Sequence, residues 1–146
     1  MADLTAIKSM DRTIEILHPS PSAHAIGVRV TILSIEDERM EKIRRSITNN
    51  RLALEARGKH FKAEDIEENN RELLFAAMTD WEWYNPTGDE KADNYDADAM
   101  PTFQGGVPDF NKKNVMAVLK SLPWFHGQVN EAVGDAKAFF DNSKSS

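Results

Sequence analysis

The chain has 146 residues, no cysteine, and a net charge of −6 from 24 acidic and 18 basic side chains. Missing thiols exclude disulfides, thiolate nucleophiles and zinc–thiolate sites together, and the acidic balance argues against a general nucleic-acid binder, which needs a basic stripe to neutralise phosphates. With 40% hydrophobic residues the chain can bury a moderate core as one domain. No apolar run approaches the ~20 residues of a membrane span, and no targeting segment is visible, so a cytoplasmic protein is expected.

Residues 1–12 lack a period and read as a flexible lead to a single domain over 13–140. Thr13 to Leu17 (TIEIL) is a strand candidate, and the prolines of HPSPS from His18 to Ser22 supply turn chemistry. Gly27 to Leu33 (GVRVTIL) alternates, with Val28, Val30 and Ile32 on one face and Arg29 and Thr31 on the other. Two such runs around a Pro/Ser loop predict a β-hairpin over 13–33. A lone hairpin is marginal in water, so its apolar face must rest on a helix.

A helix pair is predicted over 34–81. The first helix runs from Ser34 to Gly58, with Ser34 and Asp37 as a variant capping box, an acidic first turn, and Arg51 and Arg57 toward the end. Its stripe is Met40, Ile43, Ile47 and Leu54, and Gly58 suits the position after the C-cap. The second runs from about Ala63 to Trp81, burying Ile66, Leu73, Leu74, Ala77, Met78 and Trp81 against a face of Glu64, Glu67, Glu68, Arg71 and Glu72. An antiparallel packing across the Gly58–Phe61 loop is expected. Residues 82–108 lose all period and collect Gly, Pro, Asn and Asp, forming an acidic loop of a length that is usually functional or mobile.

A second helix pair follows over 109–140. Phe110 to Leu122 carries Val115, Val118, Leu119 and Leu122 on one face, and Pro123 either stops it or opens the next helix. Trp124 to Phe140 carries Phe125, Val129, Ala132, Val133, Ala136 and Phe140, weakened by about 1 kcal/mol at each of Gly127 and Gly134. Residues 141–146 form a polar tail. The fold class is therefore α+β, mainly α, a hairpin on a bundle of about four helices.

Chemistry-bearing patterns are weak. Asn94, Asp96 and Asp98 have the spacing of a calcium loop's first ligands, but Ala99 stands where the turn glycine belongs and Gly105 where the bidentate Glu belongs. His18, His24, His60 and His126 make no helical metal pair. His60 lies near Glu64 and Asp65 without a nucleophile or oxyanion donors to work with. Arg44, Arg45, Arg51, Arg57, Lys59 and Lys62 gather toward the end of the first helix with only Phe61 interleaved, which reads as a solvated helix face. The aromatics are more informative. Trp81, Phe125 and Phe140 fall on core stripes, whereas Trp83, Tyr84 and Trp124 sit at helix ends, where an aromatic is often half exposed and completes the core more often than it anchors a partner. Trp81, Trp83, Tyr84, Phe110, Trp124 and Phe125 are the candidate partner-binding residues.

The order of these features resembles the lambda-like tail assembly chaperones of long-tailed bacteriophages. The residues that carry the resemblance are GVRVTIL, the charged helix from Ser34, the opening KHFKAED at Lys59–Asp65, the helix ending in Trp81 before a loop, and Pro123–Phe140. It spans roughly residues 13–140. The resemblance implies a non-enzymatic protein without cofactor or metal that binds the helical tape-measure protein and keeps it soluble before tail-tube assembly. It also implies recruitment of tail-tube protein through a frameshifted longer form, a site of action in the bacterial host cytoplasm, and absence from the mature virion; a homo-oligomer is compatible with it. The alternatives are a structural minor tail or tail-completion protein within the virion, and, further off, a small enzyme or metal binder using His60 or the Asp89–Asp98 loop.

Overall fold

Residues 11–34, 36–56 and 63–134 are described by the computed structural model, and they begin with the expected hairpin. Strand β1 (Arg12–Leu17) pairs antiparallel with β2 (Ala25–Ile32), Thr13 facing Thr31, Ile14 facing Val30 and Glu15 facing Arg29. Alternation does the sorting: Ile16, Val28, Val30 and Ile32 are fully buried, and Arg29 and Thr31 point the other way. The lead is shorter than expected, because Arg12 already belongs to β1 and the Asp11 carboxylate accepts the Ser34 N–H at 3.0 Å.

The first helix, α1 (Glu38–Glu55), starts later than Ser34. The Leu33 N–H is drawn to the Ala77 carbonyl at 2.8 Å, which holds residues 33 and 34 outside the helix. Asp37 takes over as cap, accepting the Arg39 N–H at 2.8 Å. The Arg39 guanidinium returns to the same carboxylate at 2.8 Å, and these hydrogen bonds hold Asp37 below the usual carboxylate range. Ser34 instead shapes the preceding turn, its Oγ accepting the Glu36 N–H at 3.2 Å.

Helix α2 (Ala63–Ala77) runs antiparallel to α1, since Leu33 before α1 meets the end of α2 while Asn50 donates to Asn69 and Asn70, both at 2.8 Å. The expectation of a helix through Trp81 is corrected: α2 ends at Ala77 and the chain passes directly into a third strand, β3 (Met78–Trp83), paired antiparallel with β2. Met78 and Trp81 also fit the helical stripe of Leu74, at four and seven residues on, which concealed the period-two alternation of Asp80 and Glu82 with Trp81 and Trp83. Thr79 is the extra residue of a β-bulge, since Ile32 faces Met78 while Thr31 faces Asp80. That extra residue turns both tryptophans onto the buried face, opposite Val30 and Val28. Three strands in the order β1-β2-β3 replace the marginal hairpin.

The loop after β3 is tied down at several points. Gly27 has φ +97°, and a Cβ there would lie 2.1 Å from the Tyr84 carbonyl and 2.9 Å from Pro86. Thr87 Oγ1 accepts the Asp96 N–H at 2.9 Å, and the Trp81 indole N–H donates to the Pro108 carbonyl at 3.1 Å. Helix α3 (Lys112–Ser121) is capped by Asn111, which accepts the Asn114 N–H at 2.8 Å. Helix α4 (Pro123–Gly134) opens with proline at a position where no N–H is needed. Val115, Val118, Leu119, Phe125, Val129 and Val133 join Leu74, Ala77 and the inner sheet face in one core. The result is an α+β, mainly α arrangement. The expected Gly58 cap, the Gly58–Phe61 loop with His60, Ala136, Phe140, the polar tail and the Leu54 side chain lie outside the described residues.

Candidate functional site

The six candidate aromatic residues divide into three groups. Trp81, 7% exposed, meets Trp83 edge-on at 5.5 Å and Phe110 at 5.7 Å, and Phe110 meets Phe75 of α2 at 5.8 Å. This cluster lies under β3, and Phe75 is a member that helical spacing alone did not single out. Phe125 is wholly buried in the core, with half-buried Trp124 beside it at 6.2 Å. While the domain is folded, Trp81 and Phe125 offer almost no area to a partner. Trp83 is half-buried, and its indole N–H is buried without a hydrogen-bond partner.

Tyr84 belongs to the opposite face of the sheet. Its hydroxyl donates to Glu15 at 2.6 Å, and the Arg29 guanidinium lies 4.1 Å from the centre of its ring. Arg29 also donates to Glu15 at 2.5 Å and lies 3.8 Å from Glu82. Burial, then the bond to Glu15, raises the Tyr84 phenol above its ordinary range, and the bond to Glu15 also raises Arg29 above its own. Glu15 and Arg29 are opposite residues on paired strands, so their partnership follows once the hairpin register is known. Tyr84 enters through the third strand, which the sequence reading did not contain.

Between the helices lie two clefts that meet at Asn70. One, about 310 Å³, opens between α1, α2 and α4 with Arg44, Ile47, Thr48, Arg51, Asn130 and Glu131 on its walls. The other, about 370 Å³, opens between α2, α3 and α4 beside Glu67, Arg71, Leu119, Lys120 and His126. On α4, His126, Asn130 and Gly134 recur four residues apart along this boundary, so a single face of the helix borders both clefts. Sharing Asn70 and this face of α4, the two adjoining clefts make up the groove at Asn70. Arg71 is 16% exposed and donates to Glu68 at 2.7 Å, yet its Nε–H is buried without a partner. His126 is depressed below its ordinary value, chiefly by burial and next by Arg71, with Glu67 opposing. It is therefore neutral at pH 7.

The acidic loop puts one carboxylate, that of Asp96, to structural use. Asp96 caps the short 3₁₀ turn Ala97–Ala99 by accepting the Asp98 N–H at 3.0 Å. His18 and His24 stack at 4.8 Å across the hairpin loop. Among the described residues no group of three or more His, Asp or Glu side chains has metal-holding geometry, and no helix is long and apolar enough to cross a membrane. The groove at Asn70 combines charged and polar walls with the apolar side chains of Ile47, Leu119 and Pro123. No family model matches the chain, and no curated protein or solved structure matches it either.

Proposed function

We propose that this protein is a phage tail assembly chaperone. It acts in the host cytoplasm without catalysis, binding the tape-measure protein, keeping it soluble and helping to bring tail-tube subunits to it. The reading rests first on the order of elements resembling that family, from GVRVTIL through the charged helix that follows it to Pro123-Trp124-Phe125. The observation that carries it furthest is the groove at Asn70. It is lined by residues on successive turns of α4, His126, Asn130 and Gly134, and by half-buried Ile47 of α1. Grooves of this form receive helices, which dock through residues at one-turn spacing, and a tape-measure protein is helical along its length.

The partition of the tape-measure protein between soluble and pelleted fractions tests this directly. Expressed alone it is expected to pellet, and expressed with this protein it is expected to remain in solution. Mass spectrometry of purified virions separates the chaperone from a structural tail component: a chaperone is missing from the particle, whereas stoichiometric recovery in virions would assign the structural role.

A further inference from the structure

The groove at Asn70 runs against the charge of the chain that forms it. Its walls carry four cations, Arg44, Arg51, Arg71 and Lys120, against two carboxylates, Glu67 and Glu131, in a protein whose net charge is −6. Three of those cations, Arg44, Arg51 and Lys120, make no ion pair among the described residues. Arg71 does, but its buried Nε–H still lacks an acceptor, and a buried donor without one is an unusual feature of a folded protein. Arg44, Ile47, Thr48 and Arg51 are spaced along one face of α1, as contacts to a helix lying across it would be.

We infer that this groove receives an acidic amphipathic helix of the partner protein, its carboxylates on Arg44, Arg51, Arg71 and Lys120 and its apolar side chains over Ile47 and Pro123. The inference depends on the chaperone reading for the identity of the partner, and on the groove alone for the partner's chemistry. A polypeptide fits better than a nucleic acid for two reasons. Glu67 and Glu131 interrupt the cationic run, where a continuous phosphate backbone would meet them, and neither cleft is lined by Trp, Tyr or Phe, so that the half-buried His126 ring is all either offers a base to stack on. Discrete carboxylates on a helix can avoid both glutamates. Positively charged clefts in acidic proteins also raise the encounter rate with matching segments while the overall charge repels nonspecific polyanions.

The test co-expresses the tape-measure protein with the wild type or with the double variant Arg44→Glu/Arg51→Glu, and measures soluble tape-measure protein beside the melting temperature. The wild type is expected to hold the partner in solution, and the variant to lose that capacity by roughly tenfold at an unchanged melting temperature. Lys120→Glu, at an exposed position of α3, is the second variant should the first fold poorly, and a loss of capture in the same direction is expected. A folded variant that captures as well as the wild type overturns the role of the groove and leaves the chaperone reading standing. A wild type that captures nothing overturns the chaperone reading instead. The groove is then decided alone by fluorescence anisotropy with two labelled probes of equal charge, a glutamate-rich helical peptide and a uridine oligonucleotide. Peptide binding that is lost in the variant upholds the inference. Preference for the oligonucleotide, binding of neither probe, or equal binding by the variant overturns it.

Discussion

The carboxamide of Gln128 on α4 stands where a fourth strand would pair with Leu17 of β1. Its oxygen accepts the Leu17 N–H and its nitrogen donates to the Leu17 carbonyl, both at 2.8 Å. One side chain thereby satisfies both outward backbone groups at that point of the sheet edge, and Arg12 reinforces the same junction by donating to the Ala132 carbonyl. Sheet edges left open invite pairing with other chains. Gln128→Ala is expected to lower stability by about 1–2 kcal/mol, the sum of two ordinary hydrogen bonds, and to increase self-association. Urea unfolding and light scattering measure the two effects, and an unchanged midpoint with a monodisperse sample would remove the edge-capping role.

Trp81 and Trp83 are neighbours on the same face with opposite hydrogen-bond histories. The Trp81 indole has an acceptor at Pro108, and the Trp83 indole is buried without one. Trp81→Phe is expected to cost about 1–3 kcal/mol, since it leaves a carbonyl without its donor. Trp83→Phe removes a costly buried N–H along with part of the ring, and the two effects offset each other. Chemical denaturation of both variants should rank Trp81→Phe as clearly the more damaging.

Gly27→Ala meets two obstacles at once, a positive φ and the Tyr84 carbonyl 2.1 Å from the new Cβ. A loss of about 3–5 kcal/mol is expected, combining backbone strain with overpacking. Gly105 has φ +87° but open space around its would-be Cβ, so Gly105→Ala should carry only the backbone cost of about 1–2 kcal/mol. Thermal unfolding of the pair distinguishes steric closure of the 84–101 loop on β2 from a general intolerance of substitution in loops.

His126 makes stability depend on pH in a defined direction. Its folded value lies below the ordinary 6.5, so in the window between the two the unfolded chain binds a proton that the folded protein does not. Stability therefore rises with pH across that window and is lost as pH falls from 6.5 toward the folded value. His126→Gln is expected to flatten this part of the profile, read as the urea midpoint at a series of pH values. Asp37 acts lower on the scale: its folded value is depressed below 3.8, so what it contributes is present above 3.8 and disappears as pH falls through the folded value.

Much of the fold was legible because its signals are local. The alternation in GVRVTIL and the stripes of Val115, Val118, Leu119 and of Phe125, Val129, Val133 correspond to buried faces, and proline at 123 opens α4. What escaped were features set by tertiary contact. Met78–Trp83 satisfies helical and strand spacing together, and only the open edge of β2 decides between them. Ser34 looks like a helix cap until the buried Leu33–Ala77 hydrogen bond moves the start to Asp37. The groove was illegible for the same reason. Arg44 and Arg51 read as a solvated face, and nothing in their spacing reveals that α4 brings Asn130 and Glu131 alongside.

The central claim is capture of a tape-measure protein, and size-exclusion chromatography with in-line light scattering on the co-expressed pair tests it most directly. A soluble complex containing the tape-measure protein and several copies of this chain is the predicted result, with stoichiometry following from the mass. Insoluble tape-measure protein, with this chain eluting alone at its own mass, would contradict the claim.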